Sequence, residues 1–227
     1  MSRWLEARSR RTSMLQIAGF TTLWAFVFTI PWDDSVVLPG VGTASRLMGL
    51  IAFAVGVASV IRRDGVAVRR PAAFLVPFAL LCIWTVASVQ WSPEREDGIR
   101  YASTLVQLFL MSWLVWQQCR DSRDRTLLMQ AYVFGCYVSV ASTVAQYLAG
   151  NAFEGSAQQR FAAAGFNPNY LASTLALGIP LAWHLVLSGR SRVVALLNFL
   201  AIPAVLVAIV LTGSRGGLIT AVLALSV

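Results

Sequence analysis

Two arginines stand where the chain should have little use for charge. Arg160 lies in "SAQQRFAAAGFNPNYLA" and Arg215 in "LTGSRGGL", each at the margin of a long apolar run. A guanidinium is always charged and offers a planar fork of N–H donors that suits phosphate and carboxylate. At the edge of hydrocarbon it is costly unless it pairs, snorkels or faces a polar site. The flanking residues favour a site. Gly213, Gly216 and Gly217 allow close approach of a backbone or a ligand. Ser214 ahead of a new helix would leave free backbone N–H groups beside Arg215, a setting that attracts anions. In "FNPNYLA", Asn167 before Pro168 reads as an N-cap followed by proline at the first helical position. That pair is adequately explained as a well-made helix start, and it turns Asn169 and Tyr170 to the same surface. The expected binding residues are Arg160, Arg215, Asn169 and Ser214, and the expected ligand is a membrane-embedded anion such as a lipid phosphate or diphosphate.

The elements that must carry these residues are membrane spans. Of 227 residues, 57% are hydrophobic and 12% charged, with a mean hydropathy of +0.68; a soluble domain has about 25% charged residues. Seven runs approach spanning length: Met14–Ile30, Ser45–Ile61, Pro71–Trp91, Ile99–Gln117, Leu127–Ala149, Pro168–Leu187 and Val193–Thr212. An eighth begins after Arg215, and its twelve residues reach only about 18 Å across a core of about 30 Å. The fold class expected is all-α: one polytopic transmembrane helix bundle over residues 1–227, with seven spans plus a truncated eighth. The chain reads as the amino-terminal part of a longer protein. The first run follows "SRWLEARSRR" and leaves into "PWDDS" without a small-residue cleavage site, so it reads as a retained anchor.

Loop charge gives the orientation. The net charge of +8 comes from arginine alone, as the chain has no lysine. On the side of the N-terminus fall thirteen arginines: Arg3, Arg8, Arg10, Arg11, Arg62, Arg63, Arg69, Arg70, Arg120, Arg123, Arg125, Arg190 and Arg192. The other side receives five, namely Arg46, Arg95, Arg100, Arg160 and Arg215, with Asp33, Asp34, Glu94, Glu96, Asp97 and Glu154. Cytoplasmic loops carry the arginine excess, which puts the N-terminus in the cytoplasm and Arg160 and Arg215 on the outer face. The basic charge is therefore a topology signal; no soluble basic domain exists to bind nucleic acid.

Several chemistries lack their residues. Three cysteines without a CxxC pair do not make a disulfide framework or a zinc site. There is no phosphate loop, dinucleotide glycine pattern or HExxH. Neither a metal nor a cofactor is expected. Asp33 and Asp34 in "PWDDS" could in principle bind a metal or act as a base, but read more simply as a solvated turn, and "SPEREDG" reads as an exposed loop. Gln107 and Asn198 are polar residues suited to joining helices by hydrogen bonds, and Pro77 and Pro203 are expected to kink their spans.

The stretches "RFAAAGFNPNYLASTLALGIPLAW" and "LTGSRGGLITAVLAL" resemble the O-antigen ligase and O-antigen polymerase family, which includes bacterial protein O-oligosaccharyltransferases. The layout carries the resemblance: an arginine, then a glycine and "NPN" at the head of a span, then an "SRG" turn one span later. It implies a multi-pass enzyme of the bacterial inner membrane whose site faces the periplasm. Its partners would be membrane lipids, an undecaprenyl-diphosphate-linked glycan as donor and, as acceptor, lipid A–core for a ligase or another glycan for a polymerase. Serine or threonine accepts in the protein transferases. Residues at the positions of Arg160 and Arg215 would hold the diphosphate. The family's proposed acceptor-activating histidine lies in a large periplasmic loop later in the chain, so the general base is expected in a missing region and these 227 residues are expected to be inactive alone. His184, the one histidine, is about 22 Å along its span from Asn169 and does not fit that role.

Two rival readings remain. A transporter of an anionic solute would also suit several spans and an arginine site, but should show an internal repeat and ionisable groups near the midplane. A non-catalytic scaffold gives no reason for the two arginines.

Overall fold

A computed structural model describes residues 2–38, 42–62, 69–153, 159–188 and 191–226. Arg63, Glu154 and Arg190 of the loop-charge pattern lie outside the described residues, as do the side chains of Arg3, Arg8, Arg10 and Arg11. The described chain is helical apart from one small ribbon: α1 (Ser2–Thr29), a 3-10 turn (Ile30–Ser35), β1 (Val37–Leu38), β2 (Gly42–Thr43), α2 (Ala44–Ile61), α3 (Leu75–Ser88), a 3-10 turn (Val89–Trp91), α4 (Arg95–Gln118), α5 (Ser122–Leu148), α6 (Pro168–Ser188), α7 (Arg192–Thr212) and α8 (Arg215–Leu225). β1 and β2 pair antiparallel, Val37 opposite Thr43.

Six of these helices are long and apolar enough to cross a membrane, which makes this a multi-pass membrane protein. The third apolar run differs from expectation. Its helix starts at Leu75 rather than Pro71, and with the following 3-10 turn the apolar helix covers only Leu75–Trp91. The residues ahead of this segment, Arg69 and Arg70, are committed elsewhere. The Arg69 N–H donates to Gln117 Oε1 and its carbonyl accepts from Gln117 Nε2, both at 2.9 Å. The Trp116 indole N–H donates to the Arg70 carbonyl at 2.8 Å, and the Arg69 guanidinium lies 3.6 Å over the Trp116 ring. A backbone whose N–H and C=O are taken by an amide side chain is not free to enter a helix. Pro77 consequently falls in the first turn of α3, where its missing N–H costs nothing. Pro203 does lie inside α7, and Pro180 lies inside α6.

The chain divides into two compact units. The first comprises Met1–Leu23 and Gly49–Asp124. In it α3 and α4 pair through the edge-on rings of Phe78 and Phe109, 5.6 Å apart, and Gln118 Nε2 donates to Ser59 Oγ at 2.8 Å, tying α4 to α2. Gln107 is exposed.

The second unit comprises Trp24–Met48 and Arg125–Val227 and carries the residues of interest. At its centre is α6, which buries Pro168, Leu171, Ala172, Leu175, Ala176, Ile179, Ala182 and Leu185. These recur every three or four residues and so form one stripe along the helix. Many are small, as close packing between membrane helices requires. Against the stripe lie Ala201, Ile202, Val205, Ala208 and Ile209 of α7, with Val133 and Cys136 of α5. An amide pair joins α5 to α7: Gln130 Nε2 donates to Asn198 Oδ1 at 2.8 Å and Asn198 Nδ2 returns the bond to Gln130 Oε1 at 2.9 Å. Both residues are buried. Asn198→Ala would orphan the Gln130 amide, and we expect it to destabilise the protein by about 1–2 kcal/mol. The check is thermal unfolding in detergent of Asn198→Ala, Gln130→Leu and the double variant; the double should be less destabilised than the sum of the singles.

Candidate anion-binding site

The first turn of α6, the last turn of α7 and the first turn of α8 meet at one end of the second unit, and the loop bearing Arg160 ties them together. Each helix end is closed by a residue suited to the task. Asn167 caps α6: its Oδ1 accepts from the Asn169 N–H at 2.9 Å, and Pro168 takes the first helical position. Helix α7 ends on Gly213, whose φ of 61° is left-handed and is tolerated without strain only by glycine. One residue later Ser214 caps α8, its Oγ accepting from the Gly217 N–H at 3.1 Å. Ser214 is held in turn by its own N–H, which donates to Thr212 Oγ1 at 3.2 Å. Gly217 lies so close to Ala172 of α6 that a side chain at Gly217 would collide with the Ala172 methyl.

Arg160 spans the junction. Its Nε donates to the Thr212 carbonyl at 2.8 Å and its Nη2 to Asn169 Oδ1 at 2.6 Å. The first bond satisfies a carbonyl that the end of α7 would leave without a partner. Its stem passes the α-carbon of Gly213, and the loop backbone is fastened on either side. The Phe161 N–H donates to the Leu211 carbonyl at 3.0 Å, and the Phe153 N–H to the Arg160 carbonyl at 2.7 Å. Arg160 is half-buried and held in one orientation, with guanidinium N–H groups that have no partner among the described residues.

Arg215 is different. It occupies the first position of α8, is exposed, and makes no side-chain hydrogen bond or ion pair among the described residues. The backbone N–H groups of Arg215 and Gly216 sit at positions where a helix provides no internal acceptor. A side chain at Gly216 would meet nothing within 4 Å, so the flank of this first turn is open. One held guanidinium, and on the adjoining helix start one guanidinium and two N–H groups without partners among the described residues, are the kinds of group that attract an anion. Arg160, Asn169, Ser214 and the segment that begins with Arg215 are thus brought to one corner. Ser214 is buried and occupied in capping, so it shapes the corner and does not face outward.

The "PWDDS" turn is not simply solvated. Ser45 Oγ donates to Asp33 Oδ1, and the Asp34 carbonyl lies against Gly165 of the Arg160 loop so closely that a β-carbon there would collide with it. Ser139 Oγ on α5 donates to the Pro31 carbonyl at 2.5 Å. The turn therefore supports the loop, a role for which residue spacing carries no signal. "SPEREDG" is exposed, but Glu96 and Asp97 belong to the first turn of α4, where they complement the helix dipole. His184 is exposed on α6, with Ser188 Oγ 3.4 Å from its Nε2, and takes no part in the corner. Among the described residues no group of three or more His, Cys, Asp or Glu could hold a metal ion.

No protein-family model, curated protein or solved structure matches the chain.

Proposed function

We propose that this chain is the donor-binding region of a membrane glycosyltransferase of the O-antigen ligase type. It would work at the periplasmic face of the bacterial inner membrane and pass a glycan from undecaprenyl diphosphate to lipid A–core or a related acceptor. Polymerases and protein O-oligosaccharyltransferases share the donor chemistry and differ in the acceptor. The observation that carries the reading is the Arg160 latch, which fixes a guanidinium between the first turn of α6 and the last of α7, beside the open start of α8. A transporter finds less support, since these charged groups cluster at helix ends and not along a path.

In the reaction an acceptor hydroxyl oxygen attacks the anomeric carbon of the donor. The bond from that carbon to the diphosphate oxygen breaks, and its electron pair leaves with the diphosphate. The hydroxyl proton passes to a general base, for which the family resemblance implies a histidine of the periplasmic loop. Arg160, already oriented, stabilises the negative charge growing on the departing oxygen, where water is scarce. Arg215 contributes as a mobile charge that closes on the diphosphate when it arrives.

The test is glycan transfer from a lipid-diphosphate donor in membranes carrying the full-length protein with Arg215→Ala or Arg215→Lys. Because Arg215 is not held in place, the alanine variant should lose about tenfold, the low end for a charge-assisted hydrogen bond, and lysine should recover part of that loss. Unchanged turnover in both variants would remove Arg215 from the mechanism.

A further inference from the structure

The first turn of α6 also carries an aromatic ring whose placement the anion site does not explain. Tyr170 follows Asn169 in the first turn of α6 and is 62% exposed. Its ring lies 6.3 Å from that of Phe166, at 19° between planes. Phe166 belongs to the Arg160 loop and is 2% exposed, part of the core that α6 organises. Tyr170 is therefore a ring backed by a fixed ring and open to the surroundings. Its hydroxyl makes no hydrogen bond among the described residues. Aromatic stacking at such separations favours a set orientation, which limits the entropy lost when something settles on the free face.

An exposed tyrosine at a helix end in a membrane protein has an ordinary use, in the interfacial belt. Tyr101, near the start of α4, has the features of that use. It is 72% exposed, and no ring lies against it among the described residues. Tyr170 differs in two respects. It is braced from the core, and its chain neighbour Asn169 is the residue that holds the Arg160 guanidinium.

We propose that Tyr170 is a stacking platform for the sugar directly attached to the diphosphate, and so a residue that positions the donor glycan. This rests on the reading of the corner as a diphosphate site. A pyranose has an apolar C–H face and a rim of hydroxyls. It fits a surface with a free aromatic face and an unengaged phenol at its edge. A diphosphate gripped by Arg160 brings its first sugar to the same turn of α6. Phe166 acts through Tyr170 and fixes the tilt of the ring.

The experiment measures binding to purified protein in lipid nanodiscs of two ligands, a polyprenyl diphosphate bearing one pyranose and the same polyprenyl diphosphate without sugar. The variants are Tyr170→Ala, Tyr170→Leu, Tyr170→Phe and Tyr101→Ala, with thermal unfolding as the folding control. Tyr170→Ala and Tyr170→Leu should weaken the sugar-bearing ligand by about three- to tenfold, the range of one aromatic contact. They should leave the sugar-free ligand unchanged. Tyr170→Phe should retain most of the affinity for the sugar, and Tyr101→Ala should alter neither ligand. Equal losses on both ligands, no loss on either, or the same loss in Tyr101→Ala would overturn the platform and return Tyr170 to the belt. If wild-type protein bound neither ligand, or if Arg160→Ala left the sugar-free ligand untouched, the diphosphate site would fail and the platform with it.

Discussion

Arg160→Ala is expected to lower glycan transfer from a lipid diphosphate by the full-length protein about 100- to 1,000-fold, the range for removing one preorganised stabiliser of transition-state charge. The size of this effect follows from how the side chain is held. An exposed arginine must be ordered on binding and loses part of its interaction energy to that ordering. Arg160 has been ordered beforehand by the Thr212 carbonyl and Asn169 Oδ1. Arg160→Lys should lose nearly as much as alanine. A lysine carries one ammonium on a flexible stem and cannot bridge two acceptors with a planar fork while keeping donors free for an anion. Asn169→Ala leaves the charge in place and removes one of its two supports, so its loss should fall between wild type and Arg160→Ala. The variants also uncouple α6 from α7, and thermal unfolding separates the two consequences. A fall in turnover at unchanged unfolding temperature locates the effect in the chemistry.

Gly165→Ala is expected to produce the largest loss of stability, about 2–5 kcal/mol, from two additive sources. Its φ of 81° lies in the left-handed region, which costs a residue with a β-carbon about 1–2 kcal/mol. The new methyl group would also collide with the Asp34 carbonyl, and overpacking of that kind costs about 1–3 kcal/mol. Gly216→Ala is the matched control. Gly216 is helical and a β-carbon there meets nothing, so this variant should be neutral or slightly more stable. Thermal unfolding in a single detergent measures both. Gly165→Ala should further reduce transfer, because the strained segment is the one that carries Arg160.

Six long apolar helices and the starts of α6 and α8 were legible in the sequence, and the latch between them was not. Hydropathy located every long helix to within a few residues, apart from the charged or polar extensions at the starts of α1, α4 and α5, since burial in hydrocarbon leaves an unbroken apolar run. "NPN" and "GSRGG" marked the starts of α6 and α8 because capping is a local bargain struck among neighbours in the chain. The tie between Gln117 and Arg69 has no local signal, because the two lie 48 residues apart. For the same reason Asn198 could be suspected as a polar joint but not matched to Gln130. Arg160 and Arg215 drew notice as charges beside apolar runs. Their difference in character, one anchored and one free, depends on the Thr212 carbonyl, and a backbone oxygen has no signature in a sequence. Asp34 was set aside as solvated because nothing near it in the chain foretells Gly165 as its neighbour.

The most direct test of the account is the affinity of the purified protein, in nanodiscs, for sugar-free undecaprenyl diphosphate, compared among wild type, Arg160→Ala and Arg215→Ala. The account predicts saturable binding that weakens by about 10- to 100-fold in Arg160→Ala and less in Arg215→Ala, as expected for loss of hydrogen bonds to a charged group. Equal affinity in all three proteins would contradict it, because the diphosphate would then be held by something other than these two arginines.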